Sequence, residues 1–326
     1  MIKSITHFAL PFIFMSPFHF VEAAEDEQAA SYGDNFLLGG WGGSRAKMAD
    51  KGVEFEFILT ADFYNMDYYE DKIAQQATKN VSLYNADLTM TIDAEKAWDM
   101  KGATFFVYIL GNWGDKPSED YVGDEQVFSN IQTVDAWKLY EAWYQQSFAS
   151  EKLSLLFGLF DLNSEFDVIE TGGLFSSSSH GIGPDFSQSG ANGPSIFATT
   201  SLSLRLAYNI TDQTYLQGVV MDGVPGDPVN NPKGTGIVIK LDSNDGLLTV
   251  AEMGHVSSDD APYHKFSLGY WGYSKATPDD IAGGNDIKNS GFYAAADGTV
   301  FQESGDPAQG LNMFVRYGFV NEDKIN

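Results

Sequence analysis

The chain has no cysteine, so neither a disulfide framework nor thiolate chemistry is open to it. An exported protein of this length must then hold together by backbone pairing and packing. Basic residues are also short, 19 Lys and Arg against 45 Asp and Glu, for a formal net charge of -26. This argues against nucleic acid as a partner, because phosphate neutralisation needs clustered cations. Beyond its N-terminus the sequence has no apolar run near the roughly 20 residues of a spanning helix. The longest cluster, Phe105 to Leu110, is strand-sized, which excludes a helical membrane protein. Histidine is scarce, and His180, His255 and His264 have no zinc-like spacing. Asp161, Asn163 and Glu165 begin like a calcium loop, but Phe166 stands where glycine is needed and Gly172 where glutamate is needed. No metal or other cofactor is implied.

The N-terminus supplies what the rest lacks. Lys3 precedes an apolar segment from Ile5 to Val21, broken by Pro11 and Pro17, and small residues follow at Ala23 and Ala24. This is the pattern of a secretory signal peptide over residues 1–24; the prolines and the short core argue against an anchoring helix. Residues 25–52 read as an acidic leader followed by a short helix. Ser44 would cap that helix, Arg45 to Lys51 would form it, and Gly52 would end it in a left-handed conformation.

Residues 53–326 read as strands. Val53, Phe55, Phe57, Leu59, Ala61 and Phe63 alternate with Glu54, Glu56, Ile58, Thr60, Asp62 and Tyr64, so one face is apolar and the other mostly polar. Tyr84, Ala86, Leu88, Met90 and Ile92 repeat the pattern against Asn85, Asp87, Thr89, Thr91 and Asp93. About twelve such strands are expected, near 53–64, 82–93, 102–113, 134–148, 151–162, 198–209, 212–222, 234–241, 246–255, 263–274, 290–302 and 309–320. Many have the ten or so residues that cross a bilayer at a tilt, and short turns alternate with long Gly- and Ser-rich loops. The expected fold is all-β, a transmembrane antiparallel β barrel with a short N-terminal helix. Its lumen would take the polar faces, including Arg205 and Arg316, because an arginine facing lipid at the midplane costs about 2 to 4 kcal/mol. Tyr64, Trp98, Trp113, Trp137, Trp271 and Tyr273 stand near strand ends as an interfacial aromatic girdle would.

Specific segments add a resemblance. Leu38, Gly39, Gly40, Trp41, Gly42, Gly43, Ser44, Arg45 is similar to the opening of the OprB-like carbohydrate-selective porins of Gram-negative outer membranes. Also similar are Leu139 to Gln146, Leu153 to Asn163, Gly173 to Phe175 with its serine run, the Asp222 to Pro228 turn, and Gly310 to Gly318. The resemblance implies a sixteen-stranded barrel through which mono- and oligosaccharides diffuse. It also implies insertion by the barrel assembly machinery, among outer-membrane lipids and lipopolysaccharide, and leaves monomer and homo-oligomer equally open. Family members end on an aromatic-terminated strand, whereas this sequence ends Asn321 to Asn326. Twelve strands fall about four short of sixteen, on the order of 90 residues, so a truncated sequence is expected, with a genuine twelve-stranded barrel as the alternative.

Sugar passage needs a constriction, polar groups that exchange hydrogen bonds with hydroxyls, and aromatic faces for pyranose rings. Glu141, Trp143 and Gln145 share one strand face, with Asp161 and Asn163 brought beside them by hairpin pairing. The segment 163–197 is too long for an ordinary hairpin. Folded into the lumen, it would offer Glu165, Asp167, Glu170 and Asp185 to Arg205 or Arg316; an extracellular lid is the alternative. Two other classes are weighed. One is a barrel hydrolase using the Ser176 to Ser179 run with His180 and Asp185, and the other is a secreted glycan-binding β protein.

Overall fold

The computed structural model describes residues 39–70, 75–148, 151–258, 261–277, 288–304 and 306–321. The expected signal peptide, the acidic leader and the last five residues lie outside them. A short helix α1 (Ser44–Ala49) leads into β1 (Val53–Glu70), β2 (Gln75–Asp93), the one-turn helix α2 (Ala94–Trp98), β3 (Ala103–Gly114), β4 (Ala136–Phe148) and β5 (Leu153–Phe160). After a long loop carrying the short α3 (Pro184–Ser187) come β6 (Ser201–Asn209), β7 (Thr214–Asp222), β8 (Leu247–Val256), β9 (His264–Tyr273), β10 (Ser290–Glu303) and β11 (Asp306–Val320). All eleven strands form one sheet in sequence order, and every neighbouring pair is antiparallel.

Local chemistry sets the ends of these elements. Gly43, at φ 84°, precedes α1, so Ser44 is the helix's first residue and not its cap as the sequence suggests. Gly52 does take the left-handed conformation, at φ +76°, and its amide closes on Ala49. Asp93 caps α2 by accepting hydrogen bonds from the amides of Glu95 and Lys96. The sheet has one rim of short connections, around 94–102, 149–152, 210–213 and 257–263. The opposite rim carries the long segments 115–135, 161–200 and 223–246.

Among the described residues eleven strands form where twelve are expected. Residues 234–241 alternate Ile237, Ile239 and Leu241 with polar or smaller residues, yet β7 and β8 pair directly and leave no edge for a strand between them. The segment makes only a bridge beside Lys138, in which the Gly236 amide donates to Trp137 and the Leu139 amide donates to Gly236. The Ser243 to Gly246 turn thereby falls on the long-loop rim, not among the short turns.

The distribution of polarity is inverted relative to a water-soluble domain. Phe57, Leu59, Phe157, Leu204, Leu206, Leu268, Met313 and Val315 all lie exposed on one face of the sheet. The other face buries Asn85, Asp87, Arg205, Gln217, Glu252 and Asp297. Three of the aromatics expected at an interface lie on the apolar outside, Trp98, Trp113 and Trp137, with Trp113 stacked between Tyr84 and Trp137. Tyr64, Trp271 and Tyr273 instead point inward and are buried, because loops pack over the rim ends of their strands.

Leu206 sits in the middle of β6 on the outer face. Leu206→Arg is expected to cost about 2 to 4 kcal/mol of folded stability in lipid. Urea titration of the protein folded into vesicles measures it, and a loss below about 0.5 kcal/mol would contradict the assigned face.

Candidate functional site

The inner face of β5 to β10 is roofed by residues 161–200. Near the loop rim the contact is apolar: Leu162, Phe166, Ile182 and Phe186 pack with Leu156, Phe160, Val219, Met221, Leu248, Val250, Trp271 and Tyr293. Phe186 stacks on Trp271 at 4.9 Å between centroids and 5° between planes. Burying side chains of this size contributes roughly 1.5 to 3 kcal/mol each, so the loop is held as firmly as a protein core. The segment therefore folds against the inner face and does not stand above it.

Charged groups complete the attachment. Arg316, inward on β11, donates from Nε to Asp167 at 2.8 Å and from Nη2 to the same carboxylate at 2.6 Å, while its Nη1 reaches Asp185 at 2.6 Å. Arg205, fully buried on β6, donates to Glu165 and Gln145 at 2.7 Å each and to Ser154 Oγ. Removing one partner of such a pair leaves an uncompensated buried charge, so the pairs fix where the loop sits. Glu170 is exposed and joins neither pair.

Glu252, a residue that the sequence pattern does not single out, is a third attachment. Its carboxylate accepts from Tyr293 Oη at 2.6 Å, Tyr215 Oη at 2.8 Å, Gln217 Nε2 at 3.1 Å and the Asp167 amide at 2.9 Å. Both tyrosines reach it by lying across inward glycines. A Cβ on Gly254 would stand 2.2 Å from Tyr215, and one on Gly269 would stand 2.0 Å from Tyr293. The signal was present but weak: Leu248, Val250, Glu252 and Gly254 alternate with Leu247, Thr249, Ala251 and Met253, and neither face is clearly polar.

The wall patch expected on β4 is assembled, but its acids are spent on one another's surroundings. Glu141 accepts from the Asp161 amide at 3.1 Å and from Trp143 Nε1 at 3.2 Å. Asp161 accepts from Tyr140 Oη at 2.6 Å and the Asn163 amide at 2.8 Å. Asn163 in turn donates to the Phe166 carbonyl at 3.0 Å. Glu141 is buried, whereas Trp143 and Gln145 stay half-buried. A β-bulge at Tyr140, between the Tyr108–Glu141 and Ile109–Leu139 pairs, turns its hydroxyl to Asp161, which the alternation could not foretell.

A second loop closes beside the first. Ser129 donates to Asp62 at 2.7 Å, Gln126 donates to the Ile182 carbonyl and Ser187 Oγ at 3.0 Å each, and the Asn130 amide reaches the Ser176 carbonyl at 2.6 Å. No hydrolytic triad forms in this region. Asp185 is held by Arg316, and the His180 ring lies on Phe175 at 4.4 Å. Among the described residues no group of side chains is arranged to hold a metal ion.

An antiparallel sheet with an apolar outside, a polar inside and a loop anchored across the inside defines a porin-type membrane barrel. Residues 81–325 match the family model for carbohydrate-selective porins, OprB family, and the chain belongs to that family. It is 26% identical to Porin B of Pseudomonas aeruginosa over 321 residues, 90% of this chain and 67% of that one. Its fold is similar to the high-pH structure of Pseudomonas putida OprB, with a TM-score of 0.74, 19% identity and coverage of 90% of this chain and 72% of that one. The low-pH structure of the same protein aligns with a TM-score of 0.56 at 17% identity, covering 88% and 72%. The chain is an outer-membrane porin for the diffusion of sugars.

Burial pushes the Asp167 carboxyl from its ordinary 3.8 up to about 6, outweighing the opposing pull of Arg316. The docked loop thus holds that proton more tightly than an exposed carboxylate would, and docking is favoured further as pH falls from about 6 towards 4. Channel openings attributable to loop release are therefore expected to become rarer on mild acidification, and Asp167→Asn is expected to abolish that response. Single-channel recordings across this range check it, and openings that become more frequent at the lower pH would refute it.

Proposed function

We propose that neutral mono- and oligosaccharides cross passively through the gap between the anchored loop 161–200 and the remaining barrel wall, with no catalysed step and no energy input. The observation that carries this reading is the double attachment of Arg316 to Asp167 and Asp185, joined by Arg205 with Glu165, which holds the loop inside the sheet and not above it. A loop fixed there narrows the passage to a constant width, which is what selection by size and hydrogen bonding requires. The acidic balance favours neutral solutes and cations over anions. In this reading Glu141, Asp161 and Asn163 keep the loop's base rigid, while Trp143 and Gln145 border the passage. Export through a signal peptide ending near Ala24, insertion by the barrel assembly machinery, and an outer surface solvated by lipid and lipopolysaccharide complete the proposal.

Arg316→Ala leaves Asp167 and Asp185 without their partner and is expected to free the loop. Single-channel conductance should rise severalfold and become noisier, and liposome swelling should admit larger oligosaccharides. Heat-modifiable migration on gels reports whether the barrel itself persists. A folded variant with the conductance and size limit of the parent would remove the loop from the constriction.

A further inference from the structure

The inner face is covered unevenly. Over β5 to β10 the loop leaves Arg205, Glu252, Trp271 and Tyr293 with essentially no exposed surface. Over β1 to β4, on the half nearer the short turns, Glu54 and Glu56 are exposed, and Thr89, Thr91, Phe106 and Trp143 are half-exposed. Strand register sets four of these side by side: Glu54 opposes Thr91, Thr91 opposes Phe106, and Phe106 opposes Trp143. Glu56 opposes Thr89 in the adjoining row. The rings of Phe106 and Trp143 stack at 4.9 Å with 24° between planes. The indole N–H is committed to Glu141 and part of the ring packs against the loop's core, which fixes the tryptophan and leaves its remaining ring carbons as the part that meets solute.

Resting on the sugar-porin reading, we propose that this open wall is the sugar track. The stacked pair of Phe106 and Trp143 takes the apolar C–H face of a pyranose ring, and Glu54, Glu56 and Thr91 exchange hydrogen bonds with its hydroxyls. Three features of the wall point to this ligand class. A pyranose has an apolar face bordered by hydroxyls, and the wall presents apolar ring surface bordered by acceptors in the same order along the register. The acids that would compete, Glu141 and Asp161, are turned into the wall and bonded there. Arg45, which donates to the Phe55 carbonyl between them, leaves Glu54 and Glu56 net negative, so together they disfavour a phosphorylated or carboxylated sugar relative to a neutral one. Because the carboxylates are wet and the aromatic pair is only half-buried, each interaction is weak enough to release, as diffusion demands.

The test records single channels of the full protein in planar bilayers, titrated with maltose, with glucose, and with glucose 6-phosphate as the anionic control. Trp143→Leu and Phe106→Leu keep apolar volume but remove the ring. Each is expected to raise the half-blocking sugar concentration about tenfold, equivalent to about 1.4 kcal/mol, and Trp143→Tyr should recover most of it. The double substitution Glu54→Gln, Glu56→Gln should weaken block by neutral sugar severalfold and admit the phosphorylated sugar. Unchanged block in the leucine variants, in channels that still open, overturns the track. Should a leucine variant fail to insert, the glutamine pair decides, because unaltered block together with unaltered exclusion of the anion also overturns it. A parent channel that opens yet is blocked by neither neutral sugar overturns the porin reading beneath it instead.

Discussion

A backbone that crosses hydrocarbon must satisfy every N–H and C=O without water, and the rest of this structure depends on that constraint. Within the sheet each strand is paired with its sequence neighbours, from β1 through β11, and among the described residues the outer edges of β1 and β11 have no strand partner. Lipid then rewards apolar side chains on one face, and the period of two sends every second residue to the other. The polar residues have nowhere else to go, so a chain with 45 acidic side chains is compatible with a membrane location only because half of each strand is withdrawn from the lipid.

Withdrawing polar groups from lipid creates a second problem that the loop 161–200 solves. A polar interior as wide as this sheet would pass any small solute. Filling part of it with a second core, Phe186 on Trp271 and Phe166 beneath, removes that volume using the same hydrophobic effect that drives soluble folding. Apolar packing has no direction, however, and could seat the loop in several ways. The bidentate geometry of Arg316 on Asp167 and the four donors around Glu252 supply the direction. Packing supplies the stability, and the ionic groups supply the register.

Much of this was legible in the sequence wherever one face of a strand was charged. Glu54, Glu56, Asp62 and Asp87 marked the inner face of β1 and β2, and the inward arginines Arg205 and Arg316 pointed to loop acids as partners, since a lumen arginine needs one. Trp271 and Tyr273 were assigned to the lipid interface as aromatics near a strand end, although they share a face with Lys265 and Ser267, opposite Phe266 and Leu268, and a loop covers them from inside. Residues 234–241 had a strand's alternation but no free edge to pair with, and edges are a property of the whole sheet. Glu252 sat inconspicuously among valine and leucine because its donors come from β7, β10 and the loop, far apart in sequence.

The asymmetry of the interior follows from the same accounting of groups. The long loop leaves from β5 and returns at β6, so its apolar side chains reach the walls on either side of that point first, and its acids find the arginines at β6 and β11. The wall of β1 and β2 receives the shorter segment 115–135, which packs with Tyr64, Val81 and Leu83 near the loop rim, and at its other end Arg45 of α1, which donates to the Phe55 carbonyl. Below the loop rim Glu54 is exposed and Thr91, Phe106 and Trp143 are half-exposed among the described residues, with Trp143 also touching the edge of the loop's core. A passage through such a barrel is consequently one-sided: its floor is set by loop packing against β5 to β10, and its chemistry by the part of the wall that the loop leaves exposed. Selectivity and constriction then reside on different elements, which allows the open wall to vary in sequence without disturbing the buried ion pairs that hold the loop in place.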